Sequence, residues 1–125
     1  NVARRTLAVD NRLIGRGMVE GVHDLAKLGL RQLTRVLACY AARDVAAARQ
    51  VWADDDEIDT AYGALFRELI AAMIEDQRSI SLCTHLLFCA KNIERVGDHV
   101  TNIAETVHYL VTGQPLEDHA EVPLV

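Results

Sequence analysis

Two prolines in 125 residues, with no glycine- or serine-rich run and no low-complexity stretch, leave nothing that marks an internal linker. A chain of this length builds one compact core and is too short for two, so a single continuous domain is expected. No apolar run reaches the roughly 18 residues that span a bilayer, and the first residues lack the basic, apolar and small-residue order of a signal peptide. A cytoplasmic protein is therefore the expectation. Cysteine is scarce: Cys39, Cys83 and Cys89 make an odd count with no zinc-type spacing. All three are read as buried thiols acting as small hydrophobes, Cys89 on the core side of its helix. No Ser/His/Asp set, P-loop or glycine-rich phosphate cradle is present, so no enzyme activity is expected. The chain opens on Asn1 with VARRTLAV, a helical pattern without a start signal, as a segment beginning inside a longer protein would.

The net charge of −5 conceals an asymmetry, because residues 1–50 carry nine Lys/Arg against four Asp/Glu while residues 51–125 carry four against fourteen. Nucleic acid demands a basic stripe, and the acidic majority would repel its backbone. No nucleic-acid partner is expected. The basic first part suits a solvated face, an acidic partner or an anionic membrane surface, the first being the commonest.

Strand alternation is missing throughout, and helical periodicity takes its place. From about Asp10 to Arg43, Met18, Val22, Leu25, Gly29, Leu33, Val36 and Tyr40 recur at spacings of three and four. A second helix is read as unbroken from an Asp44 cap to about Asp76, with Val51, Ile58, Tyr62, Leu65, Leu69 and Met73 inward. A third starts at a Ser79 cap and stops at Gly113, with Pro115 beyond. Its inward face collects Leu82, Leu86, Cys89, Ala90, Ile93, Val96, Val100, Ala104, Val107 and Val111. Short connections force antiparallel neighbours. The expected fold is all-α, an elongated up-down-up antiparallel three-helix bundle over residues 10–113, with residues 1–9 a preceding tail or linker and 114–125 a C-terminal tail.

Asp55 and Asp59 stand one turn apart on a flank of the second helix, and Glu94 and Asp98 repeat that spacing on the third. Folded at Arg78, the first pair lies 23 and 19 residues before the turn and the second pair 16 and 20 after it. The heights then agree to roughly 10 Å at 1.5 Å rise per residue. Both pairs are displaced from the core seam in the same rotational sense, so antiparallel packing turns all four toward one side. Such a group either shifts its pKa values or recruits a cation. All-oxygen ligation favours Mg²⁺, Mn²⁺, Ca²⁺ or Fe³⁺, that is, divalent or ferric ions. Asn102 and Glu105 are possible additional ligands. The plain alternative is a solvated acidic flank, and either motif alone carries little.

AKNIERVGDHVTNIAE followed by YLVTG, together with DDEID and FRELIAAMIED, closely resembles the PhoU family of phosphate-uptake regulators. The likeness extends over about residues 10–113. That resemblance implies two tandem three-helix repeats, each with an E(D)xxxD pattern on two helices that some members use to bind metals, iron clusters included. Asp55–Asp59 and Glu94–Asp98 fall on those positions. Only one repeat is present, and it looks like the second, which would make residues 1–9 the tail of the first. The resemblance further implies a cytosolic, non-enzymatic negative regulator of the phosphate-starvation response. It would act on a phosphate ABC transporter through its ATPase, PstB, and on a sensor histidine kinase, PhoR, meeting the membrane only through those partners.

A di-iron, ferritin-like reading arises from Glu20-x-x-His23 and Glu105-x-x-His108. Reflection through the turns sets Glu20 level with about Phe88, roughly 25 Å from Glu105, too far to share a metal. His85, His99 and His119 are assigned no role, and Lys27, Arg31 and Arg35 are read as surface or partner contacts. Exposed Tyr109 and Leu116, with the surface a missing repeat would cover, would support a homodimer.

Overall fold

In the computed structural model, backbone is described for residues 12–117 and side chains for residues 16–117. Four α-helices follow one another: α1 over Arg12–Ala42, α2 over Val45–Ala53, α3 over Asp55–Glu75 and α4 over Ile80–Thr112. A 3₁₀ turn at Gln77–Ser79 joins the last two. Among the described residues there is no strand, and no helix is long and apolar enough to cross a membrane. α2 and α3 stand where one long helix was expected, so three rods form the bundle. Residues 1–9, the far end of the C-terminal tail and His119 lie outside the described residues.

Cross-helix pairs establish the directions. Arg31 meets Glu57 and Arg35 meets Asp54, so α1 runs against α2–α3. Trp52 reaches Glu105 and Arg49 reaches His108, so α2 runs against α4. Met18 lies 3.8 Å from Cys83, and Ile93 closes on Gly29, so α1 and α4 run parallel. The fold is an all-α bundle with the expected up-down-up order.

Two apolar clusters fill the interior. Met18, Leu25, Ile58, Leu65, Leu69, Cys83, Leu86 and Ala90 form one, and Val36, Cys39, Ala48, Val51, Val100, Ala104 and Val107 form the other. Gln32, 1% exposed, falls in sequence between the α1 contributions to the two. Its Oε1 accepts from the Arg35 guanidinium at 2.8 Å, and the same guanidinium donates to Asp54 at 2.8 Å. A guanidinium only donates, which fixes the amide orientation. Gln32 Nε2 is left buried without a hydrogen-bond partner.

Several sequence expectations need correction. The second helix is interrupted at Asp54, where DDDE places three acids in the first turn of a new helix. Negative charge is favoured at a helix N-terminus and disfavoured at the C-terminus that α2 would otherwise extend. Asp44 does cap α2, accepting from the Ala47 N–H at 3.0 Å. Ser79 precedes α4, but its side chain does not cap it: the hydroxyl is hydrogen-bonded at the Ala72 and Asp76 carbonyls instead. Gly113 ends α4 with φ +71°, the left-handed stop that glycine permits. Cys89 is exposed because Ala90 takes the inward position of that turn; Cys39 and Cys83 are buried as expected. Tyr40, Val96 and Val111 are also exposed, while Leu116 is buried.

Candidate metal centre

The junction of α2 with α3 fixes where the acids sit. Asp54 accepts from Arg35 and from Gln50 Nε2 at 2.9 Å, tying the break to α1 and to the preceding turn. The Arg35 hydrogen bond holds the Asp54 carboxyl below its ordinary range. Arg31 and Arg35 thus face Glu57 and Asp54 within the molecule, beyond the surface role the sequence suggested. From this anchor Asp55 and Asp59 project one turn apart toward α4.

Gly97 sets how closely α4 approaches. It is buried between Glu94 and Asp98, and a Cβ placed there would stand 3.2 and 3.3 Å from Ile58 carbons and 3.8 Å from Asp55 Oδ1. Only a residue without a side chain lets Ile58, 1% exposed, and Asp55 pack here undisturbed.

Charge interactions link Asp55 with Asp59 and Asp98, and Asp59 with Glu94 and Asp98. Asp55 is raised first by burial, then by the charges of Asp59, Asp98 and Asp56, and is partly relieved by a hydrogen bond from Thr101. That hydroxyl also lies 3.1 Å from the Gly97 carbonyl, and its single proton serves one acceptor at a time. Asp59 is raised first by burial and then by Glu94, Asp98 and Asp56. Asp55 and Glu94 are half-buried, whereas Asp59 and Asp98 are exposed. Glu94 is paired with Lys91 at 2.9 Å, the sole ion pair formed by the four among the described residues.

Convergence stops short of a finished cage: among the described residues, no three His, Cys, Asp or Glu side chains are grouped so as to hold a metal ion. Hard-oxygen chemistry fits a hard cation, and the exposed side chains have freedom to close on one. Asn102 and Glu105 face a different neighbourhood. Glu105 accepts from Trp52 Nε1 at 3.2 Å, and both line an open groove of about 540 Å³ with Thr106, Tyr109, Pro115 and Leu116. His108, 6% exposed, is engaged by Arg49 at 3.4 Å and by the Gln114 carbonyl at 2.8 Å. It is occupied by this lock on the chain after Gly113, while Glu20 and His23 are exposed near the other end of α1. That separation opposes the ferritin-like reading.

Sequence reasoning missed Lys91, Thr101 and Gly97. Reflection at Arg78 would have found Thr101, since it lies as many residues after the turn as Asp55 lies before it. Lys91 was legible as the i−3 partner of Glu94.

The PhoU domain family model matches residues 22–107. A phosphate-specific transport system accessory protein PhoU homolog from Rhizobium meliloti is 53% identical over 113 residues, covering 90% of this chain and 48% of the relative. The homolog from Caulobacter vibrioides is 42% identical over 116 residues, 93% of this chain and 50% of its own length. The Escherichia coli accessory protein PhoU is 34% identical over 108 residues, 86% of this chain and 40% of its own length. The chain spans about half the length of the first two of these relatives and less of the third. No solved structure matches significantly. With the helical fold, the paired acids and a matched domain covering most of its length, the chain belongs to the PhoU family.

Proposed function

We propose that this chain is a three-helix unit, residues 10–113, of a non-enzymatic cytoplasmic regulator of phosphate uptake and negative regulator of the phosphate-starvation response. Its acidic face holds one or more hard cations, divalent or ferric, with a multinuclear iron cluster as the larger form. Asp55, Asp59, Glu94 and Asp98 are the ligands, and Asn102 and Glu105 extend the site if more than one ion binds. The observation that carries the metal reading is the gathering of acids of α3 and α4 at one level of the bundle, where burial first and then the charges of neighbouring acids raise Asp55 and Asp59. A cation placed among them relieves their repulsion. The names of the relatives support a part in phosphate-specific transport. The proposed partners are the transporter's ATPase, PstB, and the cytoplasmic region of the sensor kinase PhoR, with a second copy of the chain as a further associate.

Elemental analysis and Mn²⁺ or Fe³⁺ titration of the wild type and of the Asp59→Asn/Asp98→Asn variant test the site. Metal retained by the wild type and lost by the variant is expected. Equal metal content in both would exclude this site, and no metal in either would favour a plain interaction module whose acids are merely solvated. A pull-down with PstB and the PhoR cytoplasmic region tests the partners separately, and recovery of neither would refute the regulatory assignment.

A further inference from the structure

Burial accounts for one apolar row on each long helix, and α1 and α4 each carry a second. Val19, Leu30 and Leu37 are exposed on α1, linked at spacings of three and four by His23, Ala26 and Leu33. On α4 Cys89, Val96, Ile103 and Leu110 recur every seven residues, with Asn92, His99 and Thr106 between them. Cys89, Val96 and Leu110 are exposed and Ile103 is half-buried. Ile93 closes on Gly29, so Leu30 and Val96, one and three residues further along, flank a single seam from outside. Neither row holds a Lys, Arg, Asp or Glu. The charges of these helices turn the other way: Arg31 and Arg35 reach Glu57 and Asp54, Lys91 lies against Tyr62, and Glu105 accepts from Trp52. In a chain with 25% charged residues, so long an uncharged face is a contact surface.

We propose that this face binds its own copy, two chains pairing about a two-fold axis so that α1 and α4 of each form one four-helix layer. This rests on the second copy named above as an associate and supplies its surface; neither the metal nor the transport partners enter. Charge selects most foreign partners, and a face without charge offers them nothing to match, whereas a second copy brings an equally uncharged face of the same size. The seven-residue repeat on α4 is the spacing with which one helix seats another, so a helical surface with the same spacing fits it best. Asn92 stands within that row, and its amide both donates and accepts, which lets it pair with itself across a two-fold axis. Size agrees as well. Each row runs roughly 30 Å and two helices side by side are about 20 Å wide, so the face spans roughly 600 Å² in projection. Its contoured accessible surface is larger, close to the roughly 800 Å² per partner of a stable interface.

Sedimentation equilibrium of the full chain at up to about 100 μM, above the μM affinities at the weak end of such interfaces, tests the pairing on the wild type, Leu30→Glu and Ile74→Glu. Leu30 is 65% exposed, so a charge there leaves the monomer's fold intact, which helical circular dichroism checks, yet would be buried unpaired in the dimer. Ile74 is 79% exposed on α3, away from the face, and serves as the control. The wild type and Ile74→Glu are expected to be dimers, and Leu30→Glu to dimerise about a hundredfold more weakly or not at all. Cys89 supplies a second reading on the unmodified chain, because Cys39 and Cys83 are buried. Its reaction with a maleimide is expected to slow as the wild type is concentrated. A dimer that survives Leu30→Glu, one that Ile74→Glu also dissociates, or a Cys89 rate independent of concentration overturns this face while leaving self-association standing. A wild type that stays monomeric overturns the face and the second copy together.

Discussion

Gly97 is the residue on which the spacing of α3 and α4 turns. Replacing a helical glycine by alanine gains about 1 kcal/mol of helix propensity. At Gly97 the new methyl would press on Ile58 from 3.2 Å, and crowding in a packed interior costs about 1–3 kcal/mol. Gly97→Ala is therefore expected to destabilise the chain by up to about 2 kcal/mol and to weaken Mn²⁺ binding by moving Asp55 away from Asp98. Gly17→Ala, with nothing within 4 Å, is expected to stabilise by up to about 1 kcal/mol without touching the metal. Denaturant titration of the two variants should give opposite signs, and equal signs would show that α4 is not held at contact distance by this glycine. Gln32 offers a second single-residue case. A buried unsatisfied donor costs about 1–3 kcal/mol, so Gln32→Met, of similar volume, is expected to raise stability by about 1 kcal/mol while Arg35 keeps Asp54. A loss of stability on that substitution would mean that the amide has a partner, such as a bound water.

At the scale of elements, helix existence was legible and helix continuity was not. Met18, Leu25, Leu33 and Val36 on α1 and Ile58, Leu65 and Leu69 on α3 carry the 3.6-residue period, which is set by the core and survives any reading of the loops. The break at Asp54 leaves that period almost unchanged, so only the charge of DDDE against the helix dipole marks it. Heights along the hairpin are likewise accessible by counting from Arg78, which sets Asp59 and Asp98 nearly level. Side-chain direction is not: Glu105 shares the flank of Asp98 by periodicity, yet it accepts from Trp52 on α2, a contact that depends on where α2 ends. Seven residues separate Asp98 from Glu105, roughly 10 Å of rise. Trp52, the single tryptophan, therefore reports whether the site extends that far. Its emission is expected to shift in Glu105→Gln and, in the wild type, to stay unchanged on binding of a first Mn²⁺ and to shift only if a further ion binds. A shift with the first ion would place Glu105 among its ligands.

The whole molecule carries acids with opposed responses to pH. Asp55 and Asp59 bind protons more tightly in the folded chain than the ordinary value of 3.8, so folding favours their protonated forms. Their contribution to stability is fully present below 3.8 and is lost as pH rises through their raised values. Asp54 is lowered by Arg35, so its contribution is present above 3.8 and is lost as pH falls through its depressed value. With a net charge of −5, the metal-free chain is thus expected to gain stability on mild acidification from neutrality, then to lose it once Asp54 takes up its proton. The Asp55→Asn/Asp59→Asn variant should melt higher than the wild type at pH 7 without metal, and its midpoint should vary less across the mildly acidic range. Saturating Mn²⁺ should reverse the ranking, because a bound cation stabilises only the chain that retains its carboxylates. Thermal midpoints across pH 2 to 8, with and without Mn²⁺, decide the matter. If the double variant melts lower than the wild type without metal at pH 7, the acids are not a source of strain, and their repulsion gives no reason for a cation to bind.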